Sequence, residues 1–119
     1  MEAPSRTGQS AGTRGAQPIR VCPDFHAAVE LIGRRWAGAI LWTLEAGPLF
    51  FAEIGEAVPG LSDRLLSRRL RELEEAGLVT RTVHGGTPPR VSYELTDMGV
   101  ELQPAIRELG DWAKRWNVS

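Results

Sequence analysis

The sequence contains only one cysteine, Cys22, in 119 residues. A single cysteine excludes an internal disulfide framework and any metal site built from several cysteines, and it fits a reducing compartment. The sequence also lacks the run of about 18 apolar residues that a membrane-spanning helix needs. Its first residues lack the apolar block of a secretory signal. We therefore expect a soluble protein of the cytoplasm.

Charge of either sign is not in excess, since the formal net charge is −1 and the pI is about 6.1. Such a chain does not coat nucleic acid or an anionic membrane through its overall charge, so any binding of that kind needs a local patch. The two histidines, His26 and His84, are isolated, and no glycine-rich phosphate loop, metal-ligand spacing or plausible triad is present. The sequence therefore argues against an enzyme, and we expect no cofactor.

The composition suits one folded domain, because 119 residues of which 42% are hydrophobic can bury one modest core. Residues 1–20 are rich in Gly, Pro, Ser and Gln and have almost no large apolar side chain, which predicts a disordered tail. Its three arginines, Arg6, Arg14 and Arg20, could touch phosphates, or the tail could be a solubilising leader. We expect the folded domain over residues 21–119.

The stretch from Pro59 to Gly77 predicts the helix around which this domain is organised. Ser62 is a good N-cap, and Gly77 can adopt the left-handed conformation that ends many helices. Leucines at helical spacing form a stripe that must be buried, and three arginines with one serine fall on the opposite side. The leucines are Leu66, Leu70 and Leu73, and the opposite group, here called the basic ridge, is Arg64, Ser67, Arg68 and Arg71. The alternative is an ordinary solvated helix face.

Periodicity places further elements on both sides of this helix. Apolar residues at helical spacing predict three helices before it, and β-branched and alternating residues predict a hairpin after it. A last helix begins at Thr96, which is a good N-cap. The earlier helices are expected over 23–33, 36–46 and 51–58, a brief strand at 49–50, and the hairpin strands over 78–84 and 91–95.

This order of elements predicts a winged helix-turn-helix, a mainly α-helical α+β fold with a small hairpin. Only residues 59–61 separate the third helix from the helix of the basic ridge, so the two form a tight helix-turn-helix pair. The hairpin would then reach a second contact on the same DNA duplex, and His84, Arg90 and Arg81 would join the basic ridge. The alternative is that the hairpin merely connects two helices.

The chain resembles the HxlR-type bacterial transcriptional regulators over about residues 21–116. The matching motifs include Cys22-Pro23, Gly47-Pro48-Leu49-Phe50-Phe51, Pro59-Gly60-Leu61-Ser62 and Pro88-Pro89-Arg90-Val91. The resemblance implies a MarR-like architecture and a homodimeric, DNA-binding repressor or activator. Two features depart from the family pattern: a longer tail before Cys22, and Arg34-Arg35 in place of a Gly-Lys or similar pair. The second departure keeps a cation, so the resemblance carries a phosphate-contacting role to Arg35.

The basic side chains have the chemistry that DNA binding requires. A guanidinium group can bind O6 and N7 of guanine or clamp a phosphate, and serine hydroxyls near a helix start suit phosphate contacts. Arg69 lies nearer the buried flank of its helix and is expected to pair with an acid instead. The residues expected to contact double-stranded DNA are Arg35, Ser62, Arg64, Ser67, Arg68, Arg71, His84 and Arg90.

The resemblance also implies that the chain pairs with itself through its first and last helices. These helices carry apolar faces that a small core does not need. The residues expected in the dimer interface are Phe25, Val29, Leu102, Ile106, Leu109, Trp112 and Trp116.

Of all parts of the function, the effector is the one about which the sequence gives the least information. In some members of the family a cysteine near the start of the domain senses oxidants, quinones or aldehydes, and Cys22 stands at that position. An unreactive cysteine packed at the dimer interface is the alternative. The four tryptophans, Trp36, Trp42, Trp112 and Trp116, could line a pocket for an aromatic effector, or they could pack in the core and interface.

Two other functions stay open on the sequence alone. A winged helix can bind proteins as an adaptor without specific DNA binding, and a dimeric ligand sensor can have only secondary DNA affinity. Salt-sensitive binding of a DNA duplex separates the first of these from a regulator, since an adaptor would show none.

Overall fold

A computed structural model describes residues 18–119 of the chain, and in this part it contains five helices and three strands. Seventeen of the twenty residues of the expected disordered tail lie outside the described residues. In chain order the elements are α1 (Pro23–Ile32), α2 (Ala37–Leu44), β1 (Leu49–Phe50), α3 (Phe51–Ala57), α4 (Asp63–Glu75), β2 (Val79–His84), β3 (Arg90–Leu95) and α5 (Asp97–Arg115). The predicted order of helices and strands is confirmed.

The ends of α4 follow from its capping residues. The Ser62 hydroxyl oxygen accepts a hydrogen bond from the Leu65 N–H at 3.2 Å, which satisfies one of the free donors of the first turn. Gly77 has φ +87°, a conformation that residues with a Cβ rarely adopt. The Leu78 N–H then donates to the Leu73 carbonyl at 2.9 Å and closes the helix. Both predicted caps of α4 are confirmed.

The strands form one antiparallel sheet in the order β1-β3-β2. In the hairpin, Val79 lies opposite Leu95 and His84 lies opposite Arg90. The short strand β1 pairs with β3 on the other side, where Phe50 lies opposite Ser92. The hairpin therefore belongs to a three-stranded sheet rather than standing alone as a two-stranded wing.

The core lies where α2, α3, α4 and the sheet meet. The α4 stripe predicted from the leucine spacing is buried as expected. Leu78 and Val79 are both buried although they are adjacent, because Leu78 precedes the strand and follows the helix end. The largest fully buried side chains are Ile40, Leu41, Leu44, Ile54, Leu66, Leu70, Leu73 and Leu78.

The contacts that hold helix α5 against α2 include one buried hydrogen bond and one close apolar contact. The Gln103 side chain is buried, and its Nε2 donates to the Leu41 carbonyl at 3.1 Å. The Trp42 ring lies over Gly110, where an added Cβ would come within 2.7 Å of the ring.

Among the helices of residues 18–119, α5 included, none is long and apolar enough to cross a membrane.

Removal of a core leucine from α4 should destabilise the fold strongly. The Leu70 side chain is fully buried, so Leu70→Ala loses its transfer free energy and leaves a cavity. We expect the free energy of unfolding to fall by about 2–5 kcal/mol in urea titrations followed by circular dichroism. Val100→Ala, at an exposed apolar position on α5, is the matched control and should change it by less than about 0.5 kcal/mol. Equal losses in the two variants would contradict the packing described here.

Candidate nucleic-acid interface

The basic ridge lies on the solvent side of α4. Arg64, Ser67, Arg68 and Arg71 are all exposed, whereas the leucines on the opposite side of the helix are buried. The predicted separation of the two faces is confirmed. Within residues 18–119, the three guanidinium groups of the ridge form no ion pair or hydrogen bond. They are therefore accessible to an anionic ligand.

Arg69 is engaged within the protein instead. Its Nη1 lies 3.1 Å from Oε1 of Glu72, and its Nε donates to the Arg35 carbonyl at 2.8 Å. The other carboxylate oxygen of Glu72 accepts from Arg34 Nη1 at 3.2 Å. The expected pairing of Arg69 with an acid is confirmed. These bonds also fasten the turn between α1 and α2 to the helix that carries the basic ridge.

Arg35 lies exposed at this junction. Its guanidinium carbon is 4.9 Å from the centroid of the Trp36 ring, within the range of about 6 Å for a cation–π contact. Trp36 has φ +79°, which is uncommon for a residue with a side chain. Its ring reaches the turn between α3 and α4, since a Cβ built on Gly60 would lie 3.6 Å from it. Trp36 thus places Arg35 beside the helix-turn-helix.

A groove of about 720 Å³ separates α4 from the hairpin. The α4 wall includes Ser67, Arg71 and Glu74, and the hairpin wall includes Arg81 and Arg90. Arginines outnumber glutamate on these walls, so the groove carries an excess of positive charge. The structure thus brings part of the basic ridge together with Arg90 and Arg81, as expected from the order of elements. A positive groove of this kind attracts a polyanion.

Arg90 stacks on an aromatic ring that the sequence patterns do not single out. Its guanidinium carbon lies 3.6 Å from the centroid of the Phe50 ring. The Phe50 ring also meets the imidazole of His84 edge-on, with 5.4 Å between the centroids. His84 Nε2 lies 2.8 Å from Ser92 Oγ, so one nitrogen of this predicted DNA contact is engaged within the protein. At Phe50 the sequence indicates only a brief apolar strand. Contacts between neighbouring strands do not show in the periodicity of apolar residues, so the sequence does not indicate that Phe50 meets Arg90.

An apolar stripe along α5 is not covered by the described part of the chain. Its members are spaced four and three residues apart, the pattern of a helix that packs against another helix. They are Met98, Leu102, Ala105, Leu109, Trp112 and Trp116, and all but the partly buried Leu102 are exposed. We call this group the α5 stripe.

Two residues of α1 extend the uncovered apolar surface. Phe25 is 63% exposed, and Val29 is also exposed. Ile106 differs from the other residues expected in the dimer interface, because it is only 7% exposed and packs in the core of its own subunit. Its spacing places it on the α2-facing side of α5, together with the buried Gln103.

The residues that could sense or bind an effector, Cys22 and the four tryptophans, lie at separate places in the structure. Cys22 is exposed at the N-cap of α1. Trp36 packs by the helix-turn-helix and Trp42 packs over Gly110, whereas Trp112 and Trp116 are exposed on α5. In residues 18–119, no three His, Cys, Asp or Glu side chains are grouped so that they could hold a metal ion.

Comparison with known sequences identifies a family and several relatives. The family model described as HxlR-like helix-turn-helix matches residues 31–119. The chain is 45% identical over 96 residues to the HTH-type transcriptional regulator YvaP of Bacillus subtilis (strain 168), covering 81% of this chain and 89% of that protein. It is 41% identical over 96 residues to the regulator YodB of the same organism, covering 81% and 86% of the two chains.

Solved structures of similar proteins agree with these matches. The reduced form of YodB from B. subtilis superposes with a TM-score of 0.71 at 41% sequence identity, covering 81% of this chain and 94% of that chain. The redox regulator HypR in its reduced form gives a TM-score of 0.76 at 30% identity, covering 80% and 94%. The winged helix-turn-helix fold predicted from the sequence is confirmed.

Proposed function

This chain belongs to the HxlR-like helix-turn-helix family, and we propose that it regulates transcription as a homodimer that binds a palindromic DNA operator. The family predicted from the motifs is confirmed, and the protein is a DNA-binding transcriptional regulator rather than an enzyme. We further propose that it acts in the cytoplasm. The observation that carries the proposal is the basic ridge, which is exposed along one side of α4 while leucines bury the other side.

In the proposed complex α4 enters the major groove. The arginines of the ridge, Arg64, Arg68 and Arg71, can each bind the O6 and N7 atoms of guanine or a phosphate. Arg68 lies in the middle of the helix, so we assign it to a base edge. Ser62 lies at the start of the helix and Ser67 lies next to Arg68, and the short hydroxyls of both suit close phosphate contacts.

The remaining cations flank α4 and are assigned to the DNA backbone. Arg35 is exposed beside the helix-turn-helix, and Arg81 and Arg90 line the groove on the hairpin side. His84 is the weakest of the expected contacts, since Ser92 engages one of its nitrogens. Contacts on both flanks of a helix fix its register on the duplex but carry no sequence information themselves.

The α5 stripe supports pairing of two subunits. An exposed row that includes Leu109, Trp112 and Trp116 is costly in water and suits burial against a second copy. Phe25 and Val29 of α1 would widen the same interface. A two-fold axis would then place two α4 helices about 34 Å apart, so each reads one half of a palindrome about one turn from the other.

The effector proposed for this protein is an electrophile or oxidant that reacts with Cys22. Similar proteins have been solved as quinone-bound YodB, diamide-treated YodB and oxidised HypR. In this chain Cys22 is exposed and lies at the start of α1, close along the chain to Phe25. Its thiolate can add to a quinone and form a thioether on the hydroquinone ring. Because it is the only cysteine, a disulfide would need the partner subunit or a small thiol.

The decisive experiment is selection of DNA by the purified full-length protein. Duplexes retained from a random pool are sequenced, and binding of the enriched duplex is measured between 50 and 200 mM salt. We expect a palindromic consensus and a loss of affinity on the order of 10³ over this range, if about six phosphates are contacted. A protein-binding adaptor would enrich no sequence, and a ligand sensor with secondary DNA affinity would bind DNA measurably only with a small aromatic or electrophilic compound.

Removal of Arg68 should abolish specific binding. Loss of a bidentate base contact costs about 1–3 kcal/mol, and the proposed dimer makes one in each half-site, so we expect Arg68→Ala to lower affinity for the selected duplex at least about thirtyfold. Affinity for a scrambled duplex should change much less. Fluorescence anisotropy titrations measure both values, and Arg107→Ala, which removes an equal charge on α5, is the control. Normal affinity in Arg68→Ala would refute the assignment of this residue.

A charge in the α5 stripe should separate the subunits. Leu109→Glu places a carboxylate on the surface that we assign to the interface, where burial of an unpaired charge is costly. We expect a monomer by light scattering and unchanged helix content by circular dichroism. Glu108→Gln, at the neighbouring exposed position outside the stripe, should leave the dimer intact. A dimeric Leu109→Glu would count against this interface.

Loss of the thiol should remove the response to electrophiles. We expect Cys22→Ser to bind the selected duplex as the unchanged protein does, but to keep binding after treatment with p-benzoquinone. The unchanged protein should gain the mass of one quinone adduct per subunit and lose affinity. If both proteins respond equally, or if neither responds, Cys22 is not the sensor.

A further inference from the structure

We infer that Phe50 is a positioning residue for DNA binding, and that its ring holds the Arg90 guanidinium ready for a phosphate at the edge of the groove between α4 and the hairpin. The inference rests on the proposed DNA binding and adds to it a residue that carries no charge. It also gives His84 a supporting role, because His84 packs on the same ring.

The contact between Arg90 and Phe50 is close. At 3.6 Å from the guanidinium carbon to the ring centroid, the two groups are in van der Waals contact, well inside the range of about 6 Å for cation–π attraction. The ring face carries partial negative charge, which attracts the cation without neutralising it. The stacked guanidinium group therefore keeps its full charge and its N–H donors for a ligand, unlike that of Arg69, which Glu72 pairs.

The ring itself is held in place on the sheet. Phe50 lies opposite Ser92 in β3, and His84 lies opposite Arg90 across the hairpin, so the four side chains share one face of the sheet. The His84 imidazole packs against the Phe50 ring at an interplanar angle of 66°, and its Nε2 is 2.8 Å from Ser92 Oγ. This edge-to-face geometry is the favourable one for aromatic pairs.

Phe50 has no evident role in the core. Its neighbours Leu49 and Phe51 pack against the buried cluster, but Phe50 does not belong to that cluster. The ring is partly exposed at the surface of the sheet. The contacts it makes within the described residues include Arg90 and His84, both on the hairpin.

Arg90 needs such a support because of where it lies. It is the first residue of β3, directly after the loop of residues 85–89, and its long side chain is exposed. A free arginine side chain loses much rotamer freedom when it binds a phosphate, and stacking removes part of that freedom beforehand. The hairpin contact is then preorganised, which strengthens binding without adding a new hydrogen bond.

The test compares variants that keep or remove the ring. Phe50→Leu removes the π face and keeps an apolar side chain, whereas Phe50→Tyr keeps the ring. We expect Phe50→Leu to weaken binding of the selected duplex about five- to thirtyfold, the range that corresponds to one exposed cation–π contact in each subunit of the proposed dimer. Phe50→Tyr should retain the affinity of the unchanged protein. Thermal unfolding of each variant checks that the fold persists.

A double-mutant cycle separates positioning from a general structural effect. Arg90→Ala should lower affinity and reduce the magnitude of the salt slope by about 1.8, the value for two lost phosphate contacts, one from each subunit of the proposed dimer. If Phe50 acts through Arg90, Phe50→Leu should have no further effect on affinity in the Arg90→Ala background. Equal losses from Phe50→Leu in both backgrounds would overturn the inference, and so would undiminished affinity in Phe50→Leu alone.

A measurement on the unchanged protein covers the case in which Phe50→Leu does not fold. Side-chain protons of Arg90 that lie over the ring should show upfield ring-current shifts in NMR spectra of the full chain, and ordinary shifts would refute the stacking.

Failure of the inference is distinguishable from failure of the proposed function. If the unchanged protein binds no duplex in a salt-sensitive manner, the proposed function is wrong. If it binds DNA normally and the affinity does not depend on the Phe50 ring, only the inference is wrong.

Discussion

Burial of three leucines on one side of α4 is the constraint on which the rest of this structure depends. Leu66, Leu70 and Leu73 occupy the core, and each would expose apolar surface if the helix rotated about its axis. Rotation would also drive guanidinium groups into the core, where an unpaired charge is far more costly than an exposed leucine. The rotational setting of α4 is therefore fixed by apolar packing, and the direction of the basic ridge follows from it without any contact to the arginines.

Local features of the sequence predict α4 almost completely. Ser62 and Gly77 mark its ends through capping and left-handed conformation, and the leucine spacing identifies its buried side, because all three signals act within one helix. The sequence predicts the hairpin for the same reason, because the alternation of apolar and polar residues in its strand and the Gly- and Pro-rich loop are local signals as well. Membership in the family could also be predicted from short motifs in the right order.

Contacts between distant parts of the chain could not be predicted in this way. The pairing of β1 with β3, the stacking of Arg90 on Phe50 and the bonds from Arg69 to the α1–α2 turn each join residues whose spacing has no periodic signature. Ile106 shows a related limit. An apolar residue on α5 can serve the subunit core or a partner, and only the position of α2 decides that Ile106 serves the core.

The packing of Trp42 over Gly110 has a consequence for how freely α5 can vary. Most outward positions of a surface helix accept many side chains, because little changes when they are exchanged. At position 110 the addition of one methyl group would collide with the indole ring of the neighbouring helix. Mutational tolerance along this helix is therefore uneven, and Gly110 shares its intolerance of a side chain with Gly99, where an added Cβ would collide with the Leu78 carbonyl oxygen.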